Sequence, residues 1–212
     1  MVLKLYGVPQ SVCTRRVAVV CREKNVPYEL VPVDVAKRAH KSPAYLEKQP
    51  FGQLPYIDDD GFILYESRAI GRYIAAKYAG QGTPLLPADP KAHALFEQAA
   101  SVEYSDFDPF VGGLALEKAY KKMWGQETDA ARVQEYLKVL DGKLDAYEAI
   151  LSKQAYLAGN EITLADIFHL PYGSMLSKIG IDALESEARP NVARWWKDIS
   201  SRPSWQAVKE GA

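Results

Sequence analysis

The stretch Gln-Gly-Thr-Pro-Leu-Leu-Pro-Ala-Asp-Pro at residues 81–90 divides this chain of 212 residues into two parts of different character. It holds three prolines and no periodic apolar pattern, which is typical of a linker. Strand patterns occur only before it, whereas helix patterns continue after it. The sequence therefore predicts one domain over residues 1–80, the linker 81–90, and a second domain over residues 91–212.

Strand and helix patterns alternate before the linker. The turn Asp58-Asp59-Asp60-Gly61 lies between two apolar runs and predicts a hairpin. The order β-α-β, long loop, β-β, α predicts a small mixed sheet with helices packed on it. The predicted strands cover residues 2–6, 28–33, 54–57 and 62–65, and the predicted helices cover residues 11–24 and 67–78.

Only helix patterns follow the linker, which predicts an all-helical bundle for the second domain. Thr163 and Asp166 have the spacing of a capping box at a helix start, and Ile162 and Ile167 fit the hydrophobic staple that often accompanies one. We assign Asp166 a structural role. The predicted helices cover residues 91–120, 129–151, 164–178 and 192–200, with a short C-terminal piece.

Composition excludes several classes of function. The formal net charge is −1 at pH 7, which gives no indication of a nucleic-acid or anionic-membrane partner. No apolar run approaches the roughly 20 residues that a membrane span needs, and the first residues lack a signal-peptide pattern. Cys13 and Cys21 lie on one predicted helix, roughly 12 Å apart along its axis, and cannot form a disulfide with each other. Two free thiols predict a cytoplasmic location.

Metal and nucleotide sites are not indicated. His40, His93 and His169 have no partner at metal-ligand spacing. The chain also lacks a phosphate-binding glycine loop and a Gly-x-Ser-x-Gly hydrolase motif.

The starts of two predicted helices offer groups that bind anions. Ser11 stands at the expected N-cap of the first helix, where a hydroxyl, free backbone N–H groups and the positive end of the helix dipole favour a thiolate or another anion. Ser67 has the same place on the next helix, and Glu66 before it can accept from an ammonium group. Taken singly, each residue is better explained as an ordinary helix cap.

Two loop segments offer further groups. A cis bond before Pro55 would turn the backbone of Leu54 outward, so that it could pair with a peptide ligand. His40 and Lys41 can face a carboxylate. Base rates alone favour a trans proline and a solvated charged pair.

Together these residues resemble a known family. Ser-Val-Cys-Thr-Arg-Arg-Val at residues 11–17 resembles the active-site serine motif of phi-class glutathione S-transferases. Residues 40–41, 49–55 and 66–70 match that family's glutathione site in order and spacing, and residues 157–166 resemble its capping region. The resemblance implies the cytosolic glutathione transferase fold, an α/β thioredoxin-like N-terminal domain followed by an all-α helical bundle, and a homodimer.

The resemblance also implies a role for each site residue, with glutathione as co-substrate and no metal. Ser11 would donate to the glutathione sulfur and hold it as a thiolate. Leu54 is Leu where many members have Val, and Cys13 stands where a small residue is common; a buried helix cysteine is favoured over a second reactive thiol. The other implied contacts are His40, Lys41 and Gln53 at the glycine carboxylate, the Leu54 backbone at the cysteinyl unit beside cis Pro55, and Glu66 and Ser67 at the γ-glutamyl end.

Several activities fit this resemblance. The leading expectation is conjugation of glutathione to small hydrophobic electrophiles, a detoxification reaction, and reduction of organic hydroperoxides is a close second. A non-catalytic ligand-binding protein or a regulatory protein on the same fold are alternatives from other classes. Tyr6 competes with Ser11 because sister classes use a tyrosine near the end of the first strand. The expected electrophile contacts, between the first helix start and the bundle, are Val12, Phe110, Leu114 and Tyr172.

Overall fold

The computed structural model describes residues 2–212, and Met1, the first residue of the predicted first domain, lies outside them. The chain separates into two compact units. The first unit extends to Leu86 and also contains Pro203–Ala212, whereas the second unit is Pro87–Arg202. The C-terminal residues, which the sequence pattern placed with the helical domain, thus pack within the first unit.

The first unit contains a four-stranded mixed sheet in the order β2-β1-β3-β4. Strand β1 is parallel to β2 and antiparallel to β3, and β3 and β4 form the predicted hairpin. This confirms the predicted thioredoxin-like class. The elements are β1 (Leu3–Gly7), α1 (Val12–Glu23), β2 (Tyr28–Pro32), a 3₁₀ turn (Ala39–Lys41), α2 (Pro43–Leu46), β3 (Tyr56–Asp59), β4 (Phe62–Tyr65) and α3 (Ser67–Lys77).

Buried and exposed side chains alternate along β1, so that one face of the sheet packs on the core. Leu3 and Leu5 are buried and Lys4 between them is exposed, as expected for a strand with one face on the core. Leu5 pairs with Leu30 on one side and with Ile57 on the other. Strand β3 begins at Tyr56 rather than at the predicted Leu54, because Pro55 has no N–H to donate to a ladder.

The second unit is helical, as predicted, but the single helix expected over residues 91–120 is divided by two π-helical segments. Pro109 lies in the first turn after the first of them, where its missing N–H would interrupt a continuous α-helix. The elements are α4 (Pro90–Val102), the π segment Glu103–Phe107, α5 (Asp108–Ala115), the π segment Leu116–Tyr120, α6 (Lys121–Met123), α7 (Ala130–Leu151), α8 (Leu164–Lys178) and α9 (Pro190–Ser201); α10 (Pro203–Gln206) follows in the first unit.

The capping box predicted at the start of α8 is confirmed. Asp166 is fully buried, and its Oδ2 accepts from the Thr163 N–H at 2.9 Å. Its Oδ1 accepts from the Leu157 N–H at 3.0 Å and from the Trp195 Nε1–H at 2.9 Å. The Thr163 hydroxyl also donates to Oδ2, at 3.1 Å. One carboxylate therefore satisfies four buried donors from three segments, which supports its structural assignment.

No helix within residues 2–212 combines the length and the apolar composition that crossing a bilayer requires.

Candidate functional site

Ser11 is the N-cap of α1, as predicted. Its backbone is extended, with φ −63° and ψ 129°, and its Oγ accepts a long hydrogen bond of 3.4 Å from the Thr14 N–H. No acceptor for the hydroxyl hydrogen occurs among the described residues. A half-buried hydroxyl at the positive end of a helix can therefore donate to an anion while its oxygen keeps the cap bond.

Gly7 lets the end of β1 approach the first turn of α1. A Cβ at Gly7 would lie 2.5 Å from Thr14 Oγ1, a separation that packed atoms do not adopt. The glycine thus brings the helix start, and with it Ser11, directly beside the strand end.

Tyr6 has a packing role in the structure. Its ring stacks on the ring of Tyr56 with centroids 4.4 Å apart and planes 10° apart. It also packs on a cluster that includes Val33 and Tyr45. These contacts explain why a half-buried tyrosine stands at the end of β1 without a catalytic role. They favour Ser11 over Tyr6 as the candidate catalytic residue.

The two predicted carboxylate-binding segments lie against each other. Lys41 Nζ donates to the Phe51 carbonyl oxygen at 3.0 Å. Gly52 has φ +59°, and a Cβ there would lie 2.8 Å from the His40 carbonyl oxygen. Because only glycine adopts this conformation and this contact easily, Gly52 holds the loop 49–55 against residues 40–41.

Gln53 is fixed in the same loop through its backbone. The buried Gln49 accepts the Gln53 N–H with its Oε1 at 3.2 Å, and the Tyr45 hydroxyl donates to the Gln53 carbonyl oxygen at 2.7 Å. The Gln53 side chain is exposed. His40, Lys41 and Gln53, which the resemblance groups at one carboxylate, are therefore presented by two loop segments in mutual contact.

His40 is expected to be neutral near pH 7. Desolvation, followed by the positive charges of Lys41 and Arg38, lowers the pKa of His40 below its ordinary value. Its Nδ1 is buried without a hydrogen-bonding partner among the described residues. A neutral imidazole there can still donate one hydrogen bond.

The Leu54–Pro55 peptide bond is cis, as the resemblance implies. The Leu54 side chain packs on the cluster of Val33, Tyr45 and Tyr56. Neither the N–H nor the C=O of Leu54 makes a hydrogen bond within residues 2–212. Both groups therefore remain available to an extended peptide.

Glu66 and Ser67 stand at the start of α3. Glu66 is exposed and has φ +71° and ψ 108°, which is uncommon for a residue other than glycine and occurs often at functional sites. Ser67 is the first helical residue, and its buried Oγ accepts from Arg16 Nη1 at 3.0 Å. The free N–H groups of this helix start point to an anion site.

The two thiols differ in exposure. Cys13 and Cys21 do not form a disulfide with each other, as predicted. Cys21 is fully buried, and burial raises its pKa to about 12. Cys13 is only half-buried, contrary to the preference for a buried cysteine, because it lies in the first turn of α1.

The four residues expected to contact an electrophile differ in accessibility. Val12 in the first unit and Leu114 in the second are buried, whereas Phe110 and Tyr172 keep part of their surface exposed. The Tyr172 ring lies beside Gly112, which is two residues after Phe110. All four remain predictions, and the second pair is the more accessible to a ligand.

Tyr45 lies outside the segments that the resemblance matched, and Arg16, Gln49 and Gly52 lie inside them but were given no role of their own in shaping the site. Gly52 carried a signal, since glycine is the residue that most readily supplies the positive φ of a tight turn. The burial of Arg16 and Gln49 carried no signal, because polar residues are normally expected on the surface. No group of three or more potential metal ligands occurs in the part of the chain that the structure describes.

Family models match both parts of the chain. The glutathione S-transferase N-terminal domain matches residues 5–82, and the glutathione S-transferase C-terminal domain matches residues 110–203. Glutathione S-transferase PM239X14 from Arabidopsis thaliana is 52% identical over 198 residues, which cover 92% of this chain and 89% of that protein.

The chain belongs to the glutathione S-transferase family. Its relatives place it in the phi class, and members of the family use glutathione as co-substrate. Glutathione transferase F7 from Populus trichocarpa has a TM-score of 0.93 and 40% identity, covering 99% of this chain and 98% of its own. Maize glutathione S-transferase I, solved with an atrazine glutathione conjugate, has a TM-score of 0.91 and 34% identity, covering 99% of this chain and 97% of its own.

Proposed function

We propose that this protein conjugates glutathione to small hydrophobic electrophiles and that Ser11 stabilises the glutathione thiolate. The observation that carries the proposal is the Ser11 hydroxyl, which caps α1 with its oxygen and has no protein acceptor for its hydrogen among the described residues. A bound sulfur would accept that hydrogen at the positive end of the helix dipole. One pKa unit corresponds to about 1.4 kcal/mol, which a single hydrogen bond to a charged group can supply.

The remaining polar groups would hold the tripeptide in an extended form. His40, Lys41 and Gln53 would bind the glycine carboxylate. The Leu54 N–H and C=O would pair with the cysteinyl unit, in the manner of an added strand. At the other end, Ser67 and the start of α3 would bind the γ-glutamyl carboxylate, and Glu66 would accept from its ammonium group. Because these donors are in place before reaction, little reorganisation is needed.

In the reaction, the thiolate attacks an electrophilic carbon, a carbon–sulfur bond forms, and the leaving group departs with its electron pair. The thiol proton passes to solvent beforehand. Replacement of Ser11 by Ala removes the donor to the thiolate, so a smaller fraction of the bound glutathione is ionised near neutral pH. We expect conjugation of an aryl halide to fall roughly 10²-fold, as the loss of one anion-stabilising donor does elsewhere. Unchanged turnover in Ser11→Ala would contradict this assignment.

The same thiolate can reduce an organic hydroperoxide, which two glutathione molecules convert to the alcohol, water and glutathione disulfide. Assays with aryl halides, isothiocyanates and cumene hydroperoxide decide between these reactions. A purely ligand-binding protein would bind apolar compounds with no turnover in any of them, and Ser11→Ala would leave that binding intact. We further propose that the protein is cytoplasmic and forms a homodimer. Light scattering at several protein concentrations tests the dimer.

A further inference from the structure

Arg16 connects the start of α1 with the start of α3. Its side chain is fully buried, on the helix that packs against α3. The nitrogen Nη1 lies 3.0 Å from Ser67 Oγ and 3.5 Å from Cys13 Sγ. Burying a guanidinium is costly unless its donors are used, and these two contacts use Nη1 at the starts of α1 and α3.

The contact with Arg16 fixes the direction of the Ser67 hydroxyl. A guanidinium has donors only, so Ser67 Oγ must be the acceptor in this hydrogen bond. The hydroxyl hydrogen then points away from Arg16, and no protein acceptor receives it within residues 2–212. A serine without this partner could rotate its hydrogen towards any neighbouring oxygen. With Arg16 in place, the hydroxyl is held as a donor.

The positive charge also strengthens that donor. A hydroxyl that accepts from a cation becomes polarised and donates a stronger hydrogen bond through its own hydrogen. The partner of a stronger donor at a helix start is an anion. In the proposed binding mode this anion is the α-carboxylate of the γ-glutamyl unit.

We propose that Arg16 is a positioning residue that holds the Ser67 hydroxyl as an oriented donor for the α-carboxylate of the γ-glutamyl unit. The proposal rests on the proposed function, because it requires that Ser67 contacts this carboxylate. In this proposal Arg16 acts through Ser67 and contacts neither the glutathione sulfur nor the electrophile. It would therefore determine which tripeptides bind and leave the chemical step largely unaltered.

The experiment compares two tripeptides by isothermal titration calorimetry. One is glutathione, and the other is γ-aminobutyryl-cysteinyl-glycine, which lacks only the α-carboxylate. Arg16→Gln should weaken glutathione binding roughly 10-fold, the size of one hydrogen bond to a charged group, and leave the affinity for the analogue unchanged. In a Ser67→Ala background the same Arg16→Gln change should cost less than about 2-fold, because the two residues act as a unit.

Arg15→Gln is a matched control. Arg15 is the neighbouring arginine of α1, is 4% exposed, donates to the Lys209 carbonyl oxygen and lies over the Trp205 ring. Its loss should lower the thermal midpoint without changing the ratio of the two tripeptide affinities. If Arg16→Gln fails to fold, Arg16→Lys is the second variant, because it keeps the buried positive charge on a shorter side chain. It should lower the affinity for glutathione relative to that for the analogue, but by less than Arg16→Gln.

Three results would overturn the assignment: unchanged glutathione affinity in a folded Arg16 variant, an equal loss for both tripeptides, or a loss that persists in full without the Ser67 hydroxyl. Failure of the proposed function has a different signature. In that case the native protein itself binds neither tripeptide, whatever residue stands at position 16.

Discussion

Replacing Gly52 by Ala should loosen the loop that presents Gln53 and the adjacent residues 40–41. Gly52 has φ +59°, where a residue with a Cβ costs about 1–2 kcal/mol. The added Cβ would also lie 2.8 Å from the His40 carbonyl oxygen and equally close to Lys41 Nζ. The lysine side chain can move aside, but the His40 oxygen is backbone, so the turn Ala39–Lys41 must shift at a further cost of about 1–3 kcal/mol.

The shift should appear mainly in substrate binding. If His40 and Lys41 bind the glycine carboxylate, displacing them should raise KM for glutathione roughly 10-fold, the equivalent of one hydrogen bond to a charged group, with kcat changed far less. Steady-state kinetics with glutathione varied at a fixed electrophile concentration measures this. The midpoint temperature of thermal unfolding should fall by about 2–4 °C for each kcal/mol of unfolding free energy lost.

Gly61→Ala provides the matched control. Gly61 also has a positive φ, +88°, but a Cβ there would meet nothing within 4 Å. Gly61→Ala in the β3–β4 turn therefore has the conformational cost of a positive φ but no steric clash with a neighbouring atom. Equal KM values for glutathione in Gly52→Ala and Gly61→Ala would refute the argument that Gly52 holds the carboxylate-binding segments together.

Three other predictions concern stability and reactivity. Asp166→Ala removes the acceptor of four buried donors and should lower the free energy of unfolding by about 3 kcal/mol or more, as measured by urea denaturation; a loss below about 1 kcal/mol would contradict its role. Tyr6→Phe keeps the ring stacked on Tyr56 and should leave kcat/KM for conjugation within about 2-fold of native, since one phenolic hydroxyl outside the chemistry contributes little; a large loss would move the catalytic assignment from Ser11 to Tyr6. Native protein should expose one thiol, Cys13, to a disulfide reagent near pH 8, because burial raises the pKa of Cys21 to about 12; two rapidly reacting thiols would contradict it.

The fold class was predictable because its signals are local. The proline-rich linker, the alternation in β1 and the Asp-Gly hairpin turn each depend on a few neighbouring residues, and so does the capping box at Thr163 and Asp166. The strand after Pro55 and the helix divided near Pro109 show the limit of such patterns. In both cases a missing proline N–H changed where an element begins or how it continues.

The site was predictable only where its residues belong to a recognisable motif. Ser11, Glu66 and Ser67 stand at helix starts, and their positions follow from the local sequence. The burial of Arg16 against Ser67 depends on a contact between residues that are 51 positions apart in the chain, which no local pattern encodes. For the same reason, the packing of Pro203–Ala212 within the first unit was not anticipated.

The most direct test of the account is the ionisation of the sulfur in the bound tripeptide. Ultraviolet absorbance of the thiolate, recorded against pH for the complex of protein and glutathione, gives the thiol pKa in the site. The account predicts a value at least about one unit below the ordinary thiol value near 8.5, with Ser11→Ala returning most of the difference. A bound thiol that ionises at the same pH as in free solution, or a depression that survives in Ser11→Ala, would contradict it.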